Sequence, residues 1–509
     1  MLWLALVMTT AAVALAMLWL TPGHGWGDDF AGYLLQAQAL VNASPLKELE
    51  LNAHLMAASD WRAGPDAYPW GYPAILALVI WAAGQSLAIF KVVSIGSIGV
   101  VTLAAGGLAY ARRLGLFAAV CVAILVGMQP DLARLGNVIG SDAVFLALTA
   151  GALLFAALAL NATLEHSPGL RRWAPLVAAV LGCLSYFVRS NGAVTLLAIG
   201  GTFLATQLFV QRWSLRSLAG NSAVFALVCA ALILGYFTLL PDGSFVHVHY
   251  LTVEPGSLER RGLETLDAFG GFFPIMILPP PFDRLAVVLV TILAALGAFR
   301  LRRVGLLLAV YSLGHLVLLI LFPYKGGQRY YLPVLLAVAV LAVGGVQLVL
   351  QWVATKTPRP RDLQIAGGAV VAALFVGAIA ANVYRFDLQE EKEVDGPYSP
   401  AATELFGYLR SQPSDIQPVA FFKPRAMRFL AGKNSVAVRT LDTARQVNSI
   451  VICREPTADS LQLSETQVEQ LRDFRPAFRN EDFTLYVRKP VATARVAPFQ
   501  APEMKKPRT

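Results

Sequence analysis

The chain has 509 residues, of which 56% are hydrophobic and only 14% are charged, and its formal net charge at pH 7 is +9. A soluble protein carries about 25% charged residues, so this composition excludes a soluble enzyme, a disulfide scaffold and a disordered chain. Apolar runs of about 18 residues recur along the sequence, and each can cross a hydrocarbon core of about 30 Å as a helix. The composition therefore predicts a polytopic α-helical membrane protein.

Residues 1–384 are predicted to form an all-α membrane domain of about 11–13 helices. An apolar span at 2–20 is interpreted as a retained first helix, and the semi-polar segment 21–70 as the first extracytoplasmic loop. The later apolar runs predict helices at about 71–90, 91–110, 114–129, 143–160, 174–188, 192–210, 221–240, 284–299, 304–322, 332–352 and 364–384. The run 71–88 is expected to lie along the membrane or to enter it only partly, because two full crossings between 71 and 110 would place the acidic residues of the first loop in the cytoplasm.

Short basic clusters set the expected topology, because Arg and Lys of membrane proteins collect in cytoplasmic loops. The positive net charge is therefore attributed to these loops and to anionic lipid, and no nucleic-acid partner is predicted. The clusters are Arg112-Arg113, Arg171-Arg172, Arg212 with Arg216, Arg300 with Arg302 and Arg303, and Lys356 with Arg359 and Arg361. Counting helices between the clusters places 131–142, 241–283, 323–331 and the chain after 384 on the extracytoplasmic face.

The composition changes to that of a soluble protein at Tyr384. Residues 385–490 are predicted to form an extracytoplasmic α/β domain, and residues 491–509 a disordered tail. Periodicity indicates helices at 401–409, 424–431 and 465–474, and strands at 418–422, 435–438, 449–452 and 483–487. Most of the basic side chains Lys423, Arg425 and Arg428 are expected to be solvated. The four cysteines and six histidines lack the spacing of metal ligands, so no metal site is predicted.

Two adjacent acids, Asp28 and Asp29, follow the first apolar span. Adjacent carboxylates at a membrane surface repel each other and lose hydration, which raises a pKa towards the range of a general base. The alternative is that both are solvated acids that cap the next helix. A third acid, Asp142, follows Gly140-Ser141 at the mouth of an apolar run, where it can act as an N-cap, as a site residue or as both.

Basic residues on the predicted outer face form the second group of candidates. Lys325 and Arg329 lie in a Gly-containing turn between two apolar helices, next to Tyr330. Positive charge is unusual on that face, so the turn is interpreted as a phosphate-binding site. The alternative is a helix end whose cations extend to the membrane interface beside anchoring tyrosines. Arg189, between two other apolar runs, is open to the same two interpretations.

The segments 27–40 and 68–78 together resemble the opening of the GT-C superfamily of membrane glycosyltransferases. The resemblance is to the bacterial branch related to protein O-mannosyltransferases and the lipid A aminoarabinose transferase. In that family an acidic pair, usually Asp-Glu, opens the first extracytoplasmic loop, and a Pro-x-Gly-Tyr-Pro-type motif starts the next membrane segment. Here the pair is Asp-Asp, and the spacing to the following Tyr fits Asp29 better than Asp28, so which acid is the base stays open.

Two further positions match the same family. The pattern Arg329-Tyr-x-x-Pro333 resembles the segment whose basic residue meets the phosphate of a lipid-linked donor, and Asp142 matches an acid of the second loop near the reaction centre. With Arg189 added from its position near the outer face, the candidate site consists of the catalytic residues Asp29, Asp28 and Asp142, the donor phosphate-binding residues Lys325, Arg329, Tyr330 and Arg189, and the substrate-binding residues Tyr33, Tyr68 and Tyr72. No metal is implied as a requirement, while a divalent cation stays possible because the oligosaccharyltransferase branch uses one.

The resemblance implies an inverting glycosyltransferase with a GT-C-like fold. Such an enzyme moves a sugar from a polyprenyl-phosphate-linked donor to a lipid, glycan or protein acceptor at the extracytoplasmic face. We expect a multi-pass protein of the bacterial inner membrane, with its C-terminal domain in the periplasm. The alternatives are a lipid or glycan flippase and a polysaccharide polymerase or ligase; the sugar and the acceptor cannot be deduced from the sequence.

Overall fold

The computed structural model describes residues 2–489 except 62–63, 112–113, 161–167, 211–219, 241–256, 271–281, 323–327, 356–359, 390–395 and 455–460. Outside the described residues lie Lys325, much of the predicted loop 241–283, the predicted tail 491–509 and the basic residues at 112–113, 212, 216, 356 and 359. The described part contains twenty α-helices and five strands.

In chain order the helices are α1 (Leu2–Leu18), α2 (Asp28–Val41), α3 (Pro45–Ala57), α4 (Gly71–Ala83), α5 (Leu87–Ala111), α6 (Gly115–Gly127), α7 (Pro130–Arg134), α8 (Ser141–Leu160), α9 (Pro168–Val188), α10 (Gly192–Val210), α11 (Asn221–Leu239), α12 (Ser257–Gly270), α13 (Phe282–Leu301), α14 (Arg303–Leu321), α15 (Leu332–Ala354), α16 (Pro360–Gln389), α17 (Pro400–Ser411), α18 (Pro424–Ala431), α19 (Leu441–Ala444) and α20 (Glu465–Glu469). The strands are β1 (Val419–Ala420), β2 (Ser435–Val436), β3 (Ser449–Cys453), β4 (Phe474–Arg479) and β5 (Phe483–Arg488).

The chain divides into two compact units. The membrane unit consists of Met1–Pro22 and Pro69–Val394, and the sheet unit of Gly23–Tyr68 and Asp395–Thr509. The sequence led us to expect the segment 21–70 as a loop of the membrane domain. In the structure this segment forms α2 and α3 and belongs with the C-terminal sheet, because its apolar side chains are buried in the same hydrophobic cores as those of the sheet.

Apolar helices make up most of the membrane unit. Seven of them are long and apolar enough to cross a membrane. The number is eight if α6 and residues 130–137, whose axes differ by 54°, together form one span. Four shorter apolar helices accompany them, at Trp3–Leu18, Gly71–Ala83, Trp173–Val188 and Val287–Leu301. Within the described ranges, the total agrees with the predicted 11–13 helices. The chain is an integral, multi-pass membrane protein, and the predicted fold class is confirmed.

Helix α4 is shorter than the apolar run that contains it. Its 13 residues correspond to about 20 Å of helix at 1.5 Å per residue, less than the hydrocarbon thickness of about 30 Å. Gly84 ends the helix with a φ of +76°, a backbone conformation that favours glycine. The short length supports the expectation that this run does not cross the membrane completely.

The sheet unit contains a five-stranded sheet with the order β2-β1-β3-β5-β4. Strand β1 pairs in parallel with β2 and β3, whereas β5 pairs antiparallel with β3 and β4. These elements confirm the α/β character predicted for the C-terminal region. One helix differs: α20 ends at Glu469 rather than 474, and Phe474 begins β4. Pro476 within β4 disfavours a longer helix, since proline cannot continue the helical hydrogen-bond ladder.

Aromatic packing attaches the segment 23–68 to this sheet. The ring of Trp26 lies 5.0–6.4 Å from four phenylalanine rings of the C-terminal region, those of Phe406, Phe421, Phe422 and Phe483. On the opposite face of the sheet, Leu55 of α3 is buried in the core formed by β3, β5 and α20. Large aromatic side chains contribute much of the burial energy of a core, so the segment is an integral part of the sheet unit.

Asp60, which follows α3, makes hydrogen bonds to residues at and around α19. Its Oδ2 accepts hydrogen bonds from the backbone N–H groups of Arg439 at 2.6 Å and Thr440 at 2.8 Å, and its Oδ1 accepts one from the Thr443 hydroxyl. Slight burial tends to raise the pKa of this carboxyl, but the hydrogen bonds outweigh it and lower the pKa below the ordinary value of 3.8. The ionised form of Asp60 therefore stabilises the fold.

Candidate active site

Asp28 is the first residue of α2, and its carboxylate is buried. Its Oδ1 accepts hydrogen bonds from the backbone N–H groups of Arg425 at 2.8 Å and Ala426 at 3.3 Å, and its Oδ2 lies 3.5 Å from Arg425 Nη1. These N–H groups belong to the first turn of α18, where a negative charge is favourable. Burial raises the pKa of Asp28 above its ordinary value, and the Arg425 charge partly offsets this effect. Asp28 thus caps a helix of the same unit.

Asp29, the next residue, is exposed. Its Oδ1 accepts a hydrogen bond of 2.5 Å from the hydroxyl of Tyr68. Tyr68 is buried, and burial raises its pKa well above the ordinary value of 10, so the phenol keeps its proton at neutral pH. Of the two adjacent acids, Asp29 is the one that a substrate can reach from solvent.

Gln36 joins the motif at 27–40 to the first residue of the motif at 68–78. Its amide donates to the backbone carbonyl of Tyr68 at 3.0 Å and accepts from the backbone N–H of Tyr68 at 2.9 Å. The Tyr33 and Tyr68 ring centroids are 4.3 Å apart. The amide pair fixes the backbone at residue 68, and the motif at 27–40 therefore determines where the Tyr68 hydroxyl lies.

Arg425 and Arg428 were expected to be mostly solvated, and that prediction was wrong. The two side chains are 2% and 7% exposed. Arg428 forms an ion pair with Glu48, whereas Arg425 contacts Asp28, Asn52 and Tyr68. The two arginines are three residues apart on α18 and their partners 48 and 52 are four apart on α3, the spacings that place side chains on one helix face. This paired spacing is the feature of the sequence from which the burial of the two arginines could have been predicted.

A second cluster of charged residues forms in the membrane unit. Asp142 lies in the first turn of α8, and its Oδ1 is 2.5 Å from Nη1 of Arg189, which also donates to the Ser141 hydroxyl at 3.3 Å. Nη1 of Arg329 lies 4.0 Å from the Asp142 Oδ2. One carboxylate is therefore shared by two guanidinium groups, and Arg329 keeps 39% of its side chain exposed.

Tyr330 completes this cluster. The guanidinium carbons of Arg189 and Arg329 lie 5.5 Å and 5.0 Å from the centre of its ring, within the range of cation–π attraction. Arg329 also donates to the Tyr330 hydroxyl at 3.3 Å. The structure thus brings together Asp142, Arg189, Arg329 and Tyr330, while Lys325 of the same predicted turn lies outside the described residues.

The motif at the start of α4 packs beside the end of α9, next to Arg189. A Cβ on Gly71 would lie 2.6 Å from the backbone carbonyl carbon of Phe187, so only glycine permits this approach. The ring of Phe187 stacks on Tyr236 at 4.2 Å, and the Tyr236 hydroxyl accepts the backbone N–H of Trp70 at 3.0 Å. Tyr72, predicted to bind substrate, is buried in this unit. The motif therefore supports the backbone that carries Arg189.

Among the residues that the structure describes, no group of three or more His, Cys, Asp or Glu side chains could hold a metal ion. No metal-binding residue is therefore assigned.

Solved structures of ArnT and of an archaeal oligosaccharyltransferase have a similar fold. The ArnT structure from Cupriavidus metallidurans bound to undecaprenyl phosphate is similar over 94% of this chain and 97% of that chain, at 13% identity and a TM-score of 0.61. The oligosaccharyltransferase of Archaeoglobus fulgidus in complex with zinc and sulfate is similar over 89% of this chain and 68% of that chain, at 14% identity and a TM-score of 0.55. The archaeal oligosaccharyltransferase AglB from Archaeoglobus fulgidus, in complex with an inhibitory peptide and a dolichol-phosphate, is similar over 89% of this chain and 69% of that chain, at 12% identity and a TM-score of 0.53.

The resemblance drawn from the sequence motifs is confirmed at the level of the fold. No family model matches the sequence, and no curated protein matches it.

Proposed function

We propose that the chain is a membrane glycosyltransferase that moves a sugar from a polyprenyl-phosphate-linked donor to an acceptor hydroxyl, with inversion at the anomeric carbon. The observation that carries this proposal is the cluster of Arg189, Arg329 and Tyr330 around the single carboxylate of Asp142. The fold supports it, because similar structures hold undecaprenyl phosphate or a dolichol-phosphate.

The two guanidinium groups are the proposed contacts of the donor phosphate. Guanidinium matches the geometry of phosphate oxygens and forms charge-assisted hydrogen bonds with them. Asp142 balances one of the two charges and orients both groups, so a positive charge is left for the phosphate. As the bond from the anomeric carbon to the phosphate oxygen breaks, the bonding electron pair goes to the phosphate. Arg189 and Arg329 then stabilise the growing negative charge, and the sequence assigns the same role to Lys325.

Asp29 is the proposed general base. The acceptor oxygen attacks the anomeric carbon while its proton passes to the Asp29 carboxylate, and the polyprenyl phosphate leaves. No covalent intermediate with the enzyme is needed, so a single displacement inverts the configuration. Asp28 is assigned a structural role instead, because its carboxylate is occupied by the first turn of α18.

The proposed location is the extracytoplasmic face of a bacterial inner membrane, with the sheet unit in the periplasm. This orientation is supported by the basic clusters of the predicted cytoplasmic loops. The acceptor is a lipid, a glycan or a protein. The proposed reaction assigns no step to a divalent cation, although one similar structure contains zinc.

The proposal is tested by measuring the binding of undecaprenyl phosphate to the purified chain in nanodiscs, with undecaprenol as the control lipid without phosphate. Replacing Arg329 by Gln should weaken binding of the phosphate by about tenfold, the loss expected for one charge-assisted hydrogen bond. Arg385 provides a matched control because it also pairs with a carboxylate of the membrane unit, Asp131, at 3.0 Å. Arg385→Gln should leave binding unchanged. Equal affinity of the wild type and Arg329→Gln would refute the phosphate site.

A further inference from the structure

Among the described residues of the sheet unit, Arg425 is the most completely enclosed charged side chain. Its Nε donates to Asn52 Oδ1 at 3.2 Å, its Nη1 donates to the Tyr68 hydroxyl at 2.9 Å, and its Nη2 donates to the backbone carbonyl of Pro65. Nη1 also lies 3.5 Å from Asp28 Oδ2. A buried guanidinium is costly to desolvate unless its donors are satisfied, and here each of its three nitrogens has a partner. The arrangement fixes this side chain in one position.

The contact with Tyr68 determines the direction of the phenol proton. A tyrosine hydroxyl has one hydrogen to donate and lone pairs to accept, whereas arginine can only donate. Arg425 therefore occupies the acceptor side of the Tyr68 oxygen, and the phenol hydrogen is left to point at Asp29 Oδ1, 2.5 Å away. Donation by a cation also polarises the O–H bond and strengthens the hydrogen bond that it makes.

Two glycines allow this close approach. A Cβ on Gly64 would lie 2.5 Å from Arg425 Nη1 and 3.0 Å from the Tyr68 hydroxyl oxygen, and its φ is +152°. A Cβ on Gly32 would lie 2.6 Å from the Tyr68 ring. The backbone thus encloses Arg425 and Tyr68 more tightly than any other residue type would permit at these positions.

We propose that Arg425 and Tyr68 are positioning residues that hold the Asp29 carboxylate in one orientation. Arg425 fixes the Tyr68 hydroxyl, and the Tyr68 hydroxyl donates to Asp29. The consequence for catalysis rests on the proposed function, in which Asp29 is the base; the arrangement itself does not. Tyr68, which the sequence suggested as a substrate-binding residue, acts in this account through Asp29.

Several titratable and charged groups face this arrangement. Asp28 and Arg425 interact electrostatically with each other and with Asp29, Tyr33 acts on Tyr68, and Asp66 acts on Arg425. Removing the Tyr68 hydroxyl leaves all the charges in place. Replacing Arg425 by Lys keeps the positive charge but loses the planar fork that reaches several partners at once. The two substitutions therefore change hydrogen bonding without changing the net charge.

The test is site-resolved chemical labelling, which needs no sugar donor. A water-soluble carbodiimide activates a carboxylate through attack by one of its oxygens, and a hydrogen bond that occupies this oxygen slows the attack. The initial labelling rate at Asp29, measured with an amine by peptide mass spectrometry of the full chain at one fixed pH, therefore reports whether the carboxylate is held. Tyr68→Phe should raise this rate by about tenfold, the size expected for one lost charge-assisted hydrogen bond. Arg425→Lys should raise it as well.

A double-mutant cycle separates action through Tyr68 from direct action. If Arg425 acts through the hydroxyl, the Tyr68→Phe/Arg425→Lys chain should show the same labelling rate at Asp29 as Tyr68→Phe alone; a double variant whose increase is the product of the two single increases would overturn the proposal. Arg428→Lys is the matched control, since Arg428 lies on the same helix and pairs with Glu48, another acid of the first loop. It should leave the labelling rate of Asp29 unchanged.

The other outcomes of the experiment also test the proposal. Tyr68→Phe removes one oxygen atom and keeps the ring, so it tests the hydrogen bond even if Arg425→Lys fails to fold. An unchanged labelling rate in Tyr68→Phe would overturn the proposal. An equal increase in Arg428→Lys would also overturn it, since the effect would then follow from any disturbance of α18. Full sugar transfer by Asp29→Asn would instead refute the assignment of Asp29 as the base and leave the labelling result standing.

Discussion

Replacing Gly32 by Ala separates helix propensity from packing, because the two effects have opposite signs there. Gly32 lies inside α2, where alanine is intrinsically better than glycine by about 1 kcal/mol. However, the added Cβ would lie 2.6 Å from Tyr68 Cε2 and 3.1 Å from Arg425 Cδ. Carbon atoms pack best at about 3.5–4.0 Å, so the Tyr68 ring has to move by about 1 Å.

The size of the effect follows from a matched glycine. Overpacking of a core costs about 1–3 kcal/mol, and the ring that must move is held by Arg425 and by the hydrogen bond to Asp29. Gly407 also lies within a helix of the sheet unit, α17, but nothing lies within 4 Å of its added Cβ. Gly407→Ala should therefore gain up to about 1 kcal/mol, and Gly32→Ala should be less stable than Gly407→Ala by the overpacking cost.

The assay is thermal unfolding of the purified chain in detergent, with both variants measured beside the wild type. We expect the melting temperature to fall in Gly32→Ala and to stay equal or rise in Gly407→Ala. If the two variants melt together, at or above the wild type, the close packing of Gly32 against Tyr68 is refuted.

Two further substitutions test the acids of the first loop. Asp28→Asn removes the carboxylate that pairs with the buried Arg425. Because breaking a buried ion pair costs about 3–5 kcal/mol, the substitution should lower the melting temperature markedly. An unchanged melting temperature would contradict the structural role of Asp28. Asp60 has a pKa below its ordinary value of 3.8 when the protein is folded, so its contribution to stability is complete above pH 3.8 and is lost as the pH falls through the lower, folded value. Stability measured from pH 6 to pH 3 should therefore fall less steeply in Asp60→Asn than in the wild type, and parallel curves would contradict this contribution.

The membrane helices and the elements of the sheet could be predicted from sequence because their signals are local. Long apolar runs indicate spans, and the helix α18 was predicted with its observed bounds, 424–431. The attachment of the segment 23–68 to the sheet could not be predicted in the same way. Trp26 meets its phenylalanine partners about 380–460 positions later, and no periodicity within either segment records such a contact.

In the candidate site, too, local motifs could be read from the sequence, whereas contacts between distant segments could not. The motifs pointed to Asp142, Arg189, Arg329 and Tyr330, and the structure brings these four together. The sequence could not decide between two adjacent acids, because their difference arises from α18, nearly 400 positions away. Burial by that helix gives Asp28 a capping position and leaves its neighbour exposed.

The central claim is that this membrane protein transfers a sugar from a polyprenyl-phosphate donor, with Asp29 as the base. The most direct measurement uses proteoliposomes that contain the full chain, radiolabelled undecaprenyl-phosphate sugars and an envelope extract as acceptor, and it follows both the glycosylated product and the released undecaprenyl phosphate. The account predicts stoichiometric product and lipid phosphate with the wild type, and a loss of at least about 100-fold with Asp29→Asn. Transbilayer movement of intact donor without cleavage, or full transfer by Asp29→Asn, would contradict it.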